Sequence, residues 1–169
     1  MLLAQDPASP SAIDALYALK YEGVRAASRP LAALLGTALA GELGTSRRLA
    51  LVPVPTDAAR RRARGFDQAE LLAVEAGRTL GLPVLALLER ARPTRRQVGL
   101  GRDERFANLR EAFVARAVTP LEGLVLVDDV CTTGATFAAA AAALRQAGSP
   151  RVSAAALFGA IPDRHAGNG

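Results

Sequence analysis

The sequence has little of the chemistry with which small proteins hold metals or disulfides. Its 169 residues contain one cysteine, one histidine and no tryptophan. A single cysteine cannot build an internal disulfide framework, and one cysteine with one histidine cannot supply the four ligands of a structural zinc site. Both kinds of stabilisation are excluded within this chain, so we expect the fold to depend on its hydrophobic core.

Aromatic residues and lysine are also scarce. Aromatics make up 4% of a chain that is 50% hydrophobic, which predicts a core of Leu, Val and Ala. Twenty of the 21 basic residues are arginine, the one lysine is Lys20, and 16 acidic residues leave a net charge of +5. Arginine favours bidentate binding of phosphate or carboxylate. A genomic bias towards Ala and Arg explains the composition equally well. Only the positions of the arginines along the chain can distinguish this bias from a phosphate-binding role.

Long apolar runs are missing as well. No run approaches the ~18 residues of a membrane span, and the start, MLLAQDPASPS, has no basic region of a targeting signal. We therefore expect a cytoplasmic protein without membrane insertion. The length predicts a single domain over residues 1–169, of which residues 1–11 are expected to be disordered.

Hydrophobic spacing divides the chain into alternating elements. It predicts helices at residues 13–19, 30–43, 67–80 and 135–147, and strands at 49–55, 82–88, 112–117, 124–127 and 151–160. This alternation predicts an α/β fold with a mostly parallel central sheet flanked by helices. Residues 89–109 are arginine-rich without a periodic apolar face, which favours a long functional loop.

The string LVLVDDVCTTGAT at residues 124–136 combines two chemistries. Asp128 and Asp129 follow an apolar strand, at the edge of a parallel sheet where ligands bind, and their carboxylates suit sugar hydroxyls or a divalent cation. The next residues offer hydroxyls and backbone N–H groups to a phosphate at a helix start; they are Thr132, Thr133, Gly134, Ala135 and Thr136. Helix capping alone explains the threonines. The whole string favours a ribose 5-phosphate.

Two groups of arginines follow predicted strands. The first contains Arg60, Arg61, Arg62 and Arg64, and the second contains Arg92, Arg95, Arg96, Arg102 and Arg105. We expect both groups in loops at the same edge of the sheet as the acidic pair. A single arginine is more often a solvated surface charge, but two converging groups favour binding of a pyrophosphate, whose departing oxygens fixed cations would stabilise.

LVLVDDVCTTGAT resembles the phosphoribosyl pyrophosphate signature of the type I phosphoribosyltransferases. The strings KYEG, VPVPT, RGFDQAELLA, RRQVGL and RFANLREAF occur in the order seen in the ComF-like members, which are associated with natural competence. The resemblance covers about residues 19–157. It implies the type I phosphoribosyltransferase fold, with an Arg-rich flexible loop over the site.

The resemblance also implies an activity: Mg²⁺-dependent transfer of ribose 5-phosphate from phosphoribosyl pyrophosphate to an unidentified nitrogen nucleophile, with release of pyrophosphate. Asp128 and Asp129 would contact the ribose hydroxyls directly or through Mg²⁺, and residues 132–136 would hold the 5′-phosphate. The implied catalytic residues include Arg95 and Arg96. The implied pyrophosphate-binding residues are Thr56, Arg60, Arg64, Gly65, Gln97 and Arg102.

This sequence departs from the family pattern in two places, and a third position distinguishes it from the purine-salvage enzymes of the same fold. RGFDQ replaces the usual RGFNQ, and we expect Asp67 to be a helix N-cap. Thr132 stands where purine-salvage enzymes of this fold carry an acid, which disfavours a 6-oxopurine acceptor; Lys20, Tyr17 and Tyr21 are candidates for contacting the acceptor. Fuller family members have an N-terminal zinc ribbon, which we expect to be absent here.

In an alternative function, the protein is catalytically weak and its donor site only senses phosphoribosyl pyrophosphate. The arginine loops would then bind single-stranded DNA, or a competence helicase or another DNA-processing protein. The scarcity of aromatics weakens direct binding of single strands, because bases stack on aromatic rings. Related folds often complete their site across subunits, so a homodimer is a further expectation.

Overall fold

A computed structural model of the chain describes residues 2–4, 10–43, 48–91, 112–116, 121–149 and 151–159. The helices are α1 Pro10–Tyr21, α2 Ser28–Leu43, α3 Ala58–Arg64, α4 Gln68–Leu80 and α5 Ala135–Gln146, with a 3-10 turn at Arg25–Ala27. The strands are β1 Leu2–Leu3, β2 Leu49–Pro53, β3 Leu88–Arg90, β4 Phe113–Ala115, β5 Gly123–Val130 and β6 Val152–Phe158.

The central sheet has the order β1-β6-β5-β2, and all its neighbouring strands are parallel. Strand β5 is buried on both faces. Val125 and Val127 belong to the cluster that α1, α2 and α4 cover, whereas Leu124 and Leu126 pack in the cluster with Phe137 of α5. This confirms the predicted parallel sheet between helical layers, since a continuous apolar run is typical of a strand covered on both sides.

The strand predicted at residues 82–88 is mostly absent. Only Val84 bridges to Leu51, whose carbonyl accepts the N–H of Leu85 at 2.9 Å. Pro83 has no N–H to donate, which shortens the pairing. Strand β3 begins at the end of this segment and pairs antiparallel with β4, so the two form a small separate ribbon.

The beginning of the chain differs from the expected disorder over residues 1–11. Leu2 and Leu3 pair with Ala155 and Ala156 of β6, and α1 already begins at Pro10. The edge of β6 offers unpaired backbone groups, which this short strand satisfies, and Leu2 packs against the core. Residues 1 and 5–9 lie outside the described residues.

Most of the predicted loop at 89–109 also falls outside the described residues, which stop at 91 and resume at 112. Within the described part of the chain, no helix has the length and apolar character that a membrane crossing requires.

Candidate functional site

The acidic pair lies at the carboxyl end of β5, the strand between β6 and β2. Adjacent strand residues point to opposite faces, so Asp129 is on the same side as Val127, towards α1. There the Lys20 ammonium lies 3.0 Å from Asp129 Oδ2. Asp128 is partly buried, and its Oδ1 accepts the backbone N–H of Asp129 at 2.8 Å.

The surroundings of Asp128 disfavour its charged form. Burial and the neighbouring Asp129 carboxylate raise the pKa of Asp128 to about 8, and Asp67 adds to this effect. The N–H of Asp129 and the Lys20 ammonium oppose it. A large share of Asp128 is therefore protonated near neutral pH, and a cation or hydroxyl donor placed beside it would favour the carboxylate.

The loop after β5 leads into a helix whose N-cap residue, Gly134, has no side chain, although the Thr133 hydroxyl accepts the N–H of Ala135 at 3.4 Å. Cys131 is buried, and its N–H donates to the Phe158 carbonyl at 2.9 Å, which anchors the loop to β6. Thr132 and Thr133 are exposed. Gly134 is the N-cap of α5 with a φ of 75°, a left-handed conformation that favours glycine. The first amides of this twelve-residue helix can therefore bind an anion.

The other two helices beside the site begin differently, because each is capped by an aspartate. Asp57 Oδ1 accepts the N–H of Ala59 at 2.9 Å at the start of α3, and Asp67 Oδ1 accepts the N–H of Ala69 at 3.0 Å at the start of α4. The expected N-cap role of Asp67 is confirmed. By contrast, α5 has no aspartate at its N-cap, and of its first amides that of Ala135 donates to the Thr133 hydroxyl while the following ones can meet an anion.

The first arginine group was expected in a loop, and this expectation is wrong. Arg60, Arg61, Arg62 and Arg64 lie on α3, which Asp57 caps at one end and Gly65, with a φ of 75°, ends at the other. Arg60 is exposed and Arg64 is partly buried. Arg61 pairs with Glu70 at 3.5 Å on the surface.

The backbone before α3 already has partners inside the protein. The N–H of Thr56 donates to Asp67 Oδ2 at 2.8 Å, so of its two donors only the hydroxyl is left for a pyrophosphate. Arg90 Nε donates to the Pro55 carbonyl at 2.9 Å, and the Arg90 guanidinium lies 5.0 Å from the Phe113 ring centroid. Sequence reasoning did not identify Arg90, because nothing local relates it to this loop.

The turn made of Arg64, Gly65 and Phe66, here called the RGF turn, packs against the segment after α1. Arg25 donates through Nη2 to the Gly65 carbonyl at 2.8 Å, and its guanidinium lies 5.0 Å from the Phe66 ring centroid. Arg64 lies 5.9 Å from the ring centroid of Tyr21. Arg25 was also missed, although it follows the KYEG string by only two residues. The end of α1 thus contacts the RGF turn and, through Lys20, the acidic pair.

The remaining predicted site residues, Arg95, Arg96, Gln97 and Arg102, lie outside the described residues. Their roles stay predictions. Among the residues that the structure does describe, no cluster of three His, Cys, Asp or Glu side chains could hold a metal ion. Asp128 and Asp129 are the two carboxylates that remain for Mg²⁺, which commonly uses one or two carboxylates together with substrate oxygens and water.

A cleft of about 490 Å³ lies elsewhere, at the amino ends of the strands. Leu49, Gly123 and Val152 line it, and these are the first residues of β2, β5 and β6. The acidic pair is at the opposite end of β5. Ligands of open parallel sheets bind beyond the carboxyl ends of the strands, so the cleft is not the expected site.

The sequence matches no protein-family model. It is 38% identical over 103 residues to Competence protein F of Haemophilus influenzae, covering 59% of this chain and 45% of that protein. It is 35% identical over 114 residues to Competence protein ComFC of Streptococcus pneumoniae, covering 68% and 50%. It is 38% identical over 105 residues to DNA utilization protein YhgH of Salmonella typhi, covering 60% and 45%. The chain spans about half the length of the curated relatives it matches.

Among solved structures, the allosteric regulatory enzyme of purine biosynthesis matches with a TM-score of 0.52 and 21% identity, over 78% of this chain and 26% of that one. The parallel sheet, the acidic pair at its carboxyl edge and the helix that follows, with glycine at its N-cap, define a protein with the type I phosphoribosyltransferase fold. Within that class, the chain is similar to the ComF-type competence proteins, with 35–38% identity over about half of their length.

Proposed function

We propose that the protein binds phosphoribosyl pyrophosphate with Mg²⁺ and transfers its ribose 5-phosphate to a nitrogen nucleophile, releasing pyrophosphate, in a step connected with DNA uptake. One observation carries the proposal. The carboxylates of Asp128 and Asp129 lie near the carboxyl end of a buried parallel strand, and the glycine-capped start of α5 follows within a few residues. Hydroxyl-binding and phosphate-binding groups thus lie side by side.

The acidic pair and the loop at residues 132–136 would bind different parts of phosphoribosyl pyrophosphate. Carboxylate oxygens accept hydrogen bonds from the ribose hydroxyls, and charge-assisted bonds of this kind are the stronger ones. The 5′-phosphate would accept bonds from the amides of residues 132–136, together with the hydroxyls of Thr132 and Thr133, both exposed. The dipole of α5 adds to this attraction.

Mg²⁺ fits this donor set. Asp128 and Asp129 would hold it directly or through the ribose hydroxyls, and oxygens of the donor and water would be its other ligands. When bound, the ion would neutralise negative charge on the pyrophosphate.

The chain's own residues would stabilise the separating charges. The bond between C1′ and the pyrophosphate oxygen breaks, and its electron pair leaves with the pyrophosphate. The lone pair of the nucleophile forms the new bond to C1′, and the nitrogen then loses a proton. Carboxylates stabilise the positive charge that develops on the ribose. Arginines at the pyrophosphate, for which Arg60, Arg64, Arg95, Arg96 and Arg102 are proposed, stabilise the leaving group; one such donor contributes about 3 kcal/mol.

Relatives named for competence and DNA utilization support the link to DNA uptake. The acceptor is not assigned, because no described residue identifies a particular base.

An assay of pyrophosphate release tests the reaction: the protein is incubated with the donor, MgCl₂ and nitrogen nucleophiles in turn. Release that depends on both the acceptor and Asp129 supports the proposal. If the protein binds the donor but releases no pyrophosphate with any acceptor, the proposed transfer step is wrong.

A second candidate is a donor-sensing protein that binds single-stranded DNA or a competence helicase or other DNA-processing protein. One observation favours it: Arg60, Arg61 and Arg62 are all exposed on one turn of α3. Binding through arginines should weaken steeply with salt. If the variant with Arg60, Arg61 and Arg62 all changed to alanine binds an oligonucleotide as tightly as wild type at low salt, these exposed arginines have no role in DNA binding. The variant with Arg95, Arg96 and Arg102 changed to alanine tests the second arginine group in the same way.

A further inference from the structure

Lys20 is the one lysine of a chain with twenty arginines, and it points at the candidate site. Its ammonium lies 3.0 Å from Asp129 Oδ2, and only 19% of the Lys20 side chain and 13% of the Asp129 side chain are exposed. The two residues lie 109 positions apart, so the contact joins α1 to the end of β5. Partial burial strengthens the attraction between the two charges, because water and salt screen it less than at the surface.

The helix that carries Lys20 is firmly held. Leu16 and Leu19 are fully buried beneath it. Next to Lys20, the rings of Tyr17 and Tyr21 lie 5.4 Å apart, and Arg25 holds the following segment to Gly65. The ammonium can therefore leave Asp129 by rotation of its own flexible side chain, without movement of α1.

We propose that Lys20 is an internal cation that neutralises Asp129 in the ligand-free protein, and that binding of the Mg²⁺-bound donor displaces it from this carboxylate. The inference rests on the proposed function, which gives Asp129 to the ribose hydroxyls or to Mg²⁺. Oδ2 cannot keep its ammonium contact and take a cation at the same position. Lys20 is a positioning residue in this account, because it acts on the donor through Asp129.

A lysine suits this task better than an arginine. Its ammonium is a compact charge on a flexible stem, whereas a guanidinium would hold the carboxylate with two parallel hydrogen bonds. The acidic pair, with Asp67 nearby, concentrates negative charge, and Lys20 reduces the repulsion while no ligand is bound. Its removal would leave Asp129 without this ion pair and more ready to take up Mg²⁺.

Lys20→Met tests the inference, since methionine keeps most of the side-chain length and loses the charge; Lys20→Gln serves if that variant does not fold. Calorimetric titration with MgCl₂ alone is expected to show about tenfold tighter binding to Lys20→Met than to wild type. Lys20→Arg is expected to bind Mg²⁺ more weakly than wild type. The melting temperature of Lys20→Met should fall without Mg²⁺ and recover with it.

The control is Arg78→Met, which also removes one positive charge and a 3.0 Å ion pair, here with Glu75 on the surface. It should leave Mg²⁺ affinity unchanged. Equal or weaker Mg²⁺ binding by Lys20→Met would overturn the inference. So would weaker binding of phosphoribosyl pyrophosphate in MgCl₂, because Lys20 would then contact the donor itself. A wild-type protein that binds no donor would refute the proposed function, and the MgCl₂ titration would still decide the role of Lys20.

Discussion

The backbone N–H of Thr56 donates a 2.8 Å hydrogen bond to Asp67 Oδ2, while Oδ1 of the same carboxylate caps α4 through the N–H of Ala69. Asp67 is 4% exposed. One buried side chain thus joins the loop after β2 to the start of α4, with α3 and its arginines between them. Because the RGF turn lies between Thr56 and the start of α4, both hydrogen bonds of Asp67 help to fix its position.

Asp67→Ala should therefore be strongly destabilising. It removes a helix cap and leaves the Thr56 amide without its partner, which together cost about 2–4 kcal/mol of unfolding free energy. Asp67→Asn keeps an oxygen acceptor and should cost less. Urea denaturation measures both. Asp57→Ala is the matched control, since it removes an exposed cap of α3, and its cost should be clearly smaller. Equal costs for Asp57→Ala and Asp67→Ala would show that the tie to Thr56 contributes nothing.

Asp128 should make the ligand-free protein less stable as the pH rises. Its pKa is raised to about 8 from the ordinary value of 3.8. Between these values the unfolded chain loses the proton and the folded protein keeps it, so the free energy of unfolding falls across this range and levels off above it. Well below pH 3.8 both states are protonated and Asp128 contributes nothing.

Asp128→Asn should remove this dependence and stabilise the protein by at least about 1 kcal/mol at pH 8 without Mg²⁺. Denaturation curves at pH 5 and pH 8 measure it. Asp129→Asn is the comparison, because it removes only one of the two main causes of the raised pKa and also breaks the ion pair with Lys20, so it should stabilise less than Asp128→Asn. A wild-type protein as stable at pH 8 as Asp128→Asn would contradict the raised pKa.

Gly134→Ala should separate donor binding from stability. Gly134 has a φ of 75°, and a Cβ there would meet no atom within 4 Å, so the stability cost is backbone strain of about 1 kcal/mol. The added methyl group would project where the 5′-phosphate is proposed, so donor affinity should fall. Gly148→Ala is the control: its φ is 100°, its Cβ position is equally open, and it lies at the other end of α5. Similar donor affinity of the two variants would refute the phosphate site.

Arg25→Ala should loosen the RGF turn. The change removes a hydrogen bond to the Gly65 carbonyl and the contact with Phe66, at a cost of about 1 kcal/mol. Inhibition by added pyrophosphate should weaken, because Arg64 and Gly65 lose their support. Arg29→Ala, an exposed arginine on the first turn of α2, is the control. If pyrophosphate inhibits wild type and Arg25→Ala equally, the RGF turn keeps its shape without the contacts of Arg25.

Structural elements formed by consecutive residues could be predicted from the sequence. Strand β5, the acidic pair and the glycine before α5 follow from one string of thirteen residues, because strand, loop and helix start are consecutive. Helix α3 was missed because its arginines carry no apolar face. Its boundaries were nonetheless present as Asp57 and Gly65, an N-cap and a left-handed end.

Contacts between distant segments could not be predicted in the same way. Nothing near Lys20 indicates that its partner is Asp129, and nothing near Arg90 indicates Pro55. Such pairs depend on how the helices pack against the sheet. The strand predicted at residues 112–117 appears as β4, but its antiparallel pairing with β3 in a separate ribbon could not be predicted for the same reason.

Calorimetry of phosphoribosyl pyrophosphate binding in MgCl₂ tests the central claim most directly, with wild type compared against the variant in which Asp128 and Asp129 are both asparagine. Loss of two charge-assisted hydrogen bonds predicts affinity that is roughly 100-fold weaker in the variant. Unchanged affinity in a folded variant would contradict the assignment of this acidic pair to the donor.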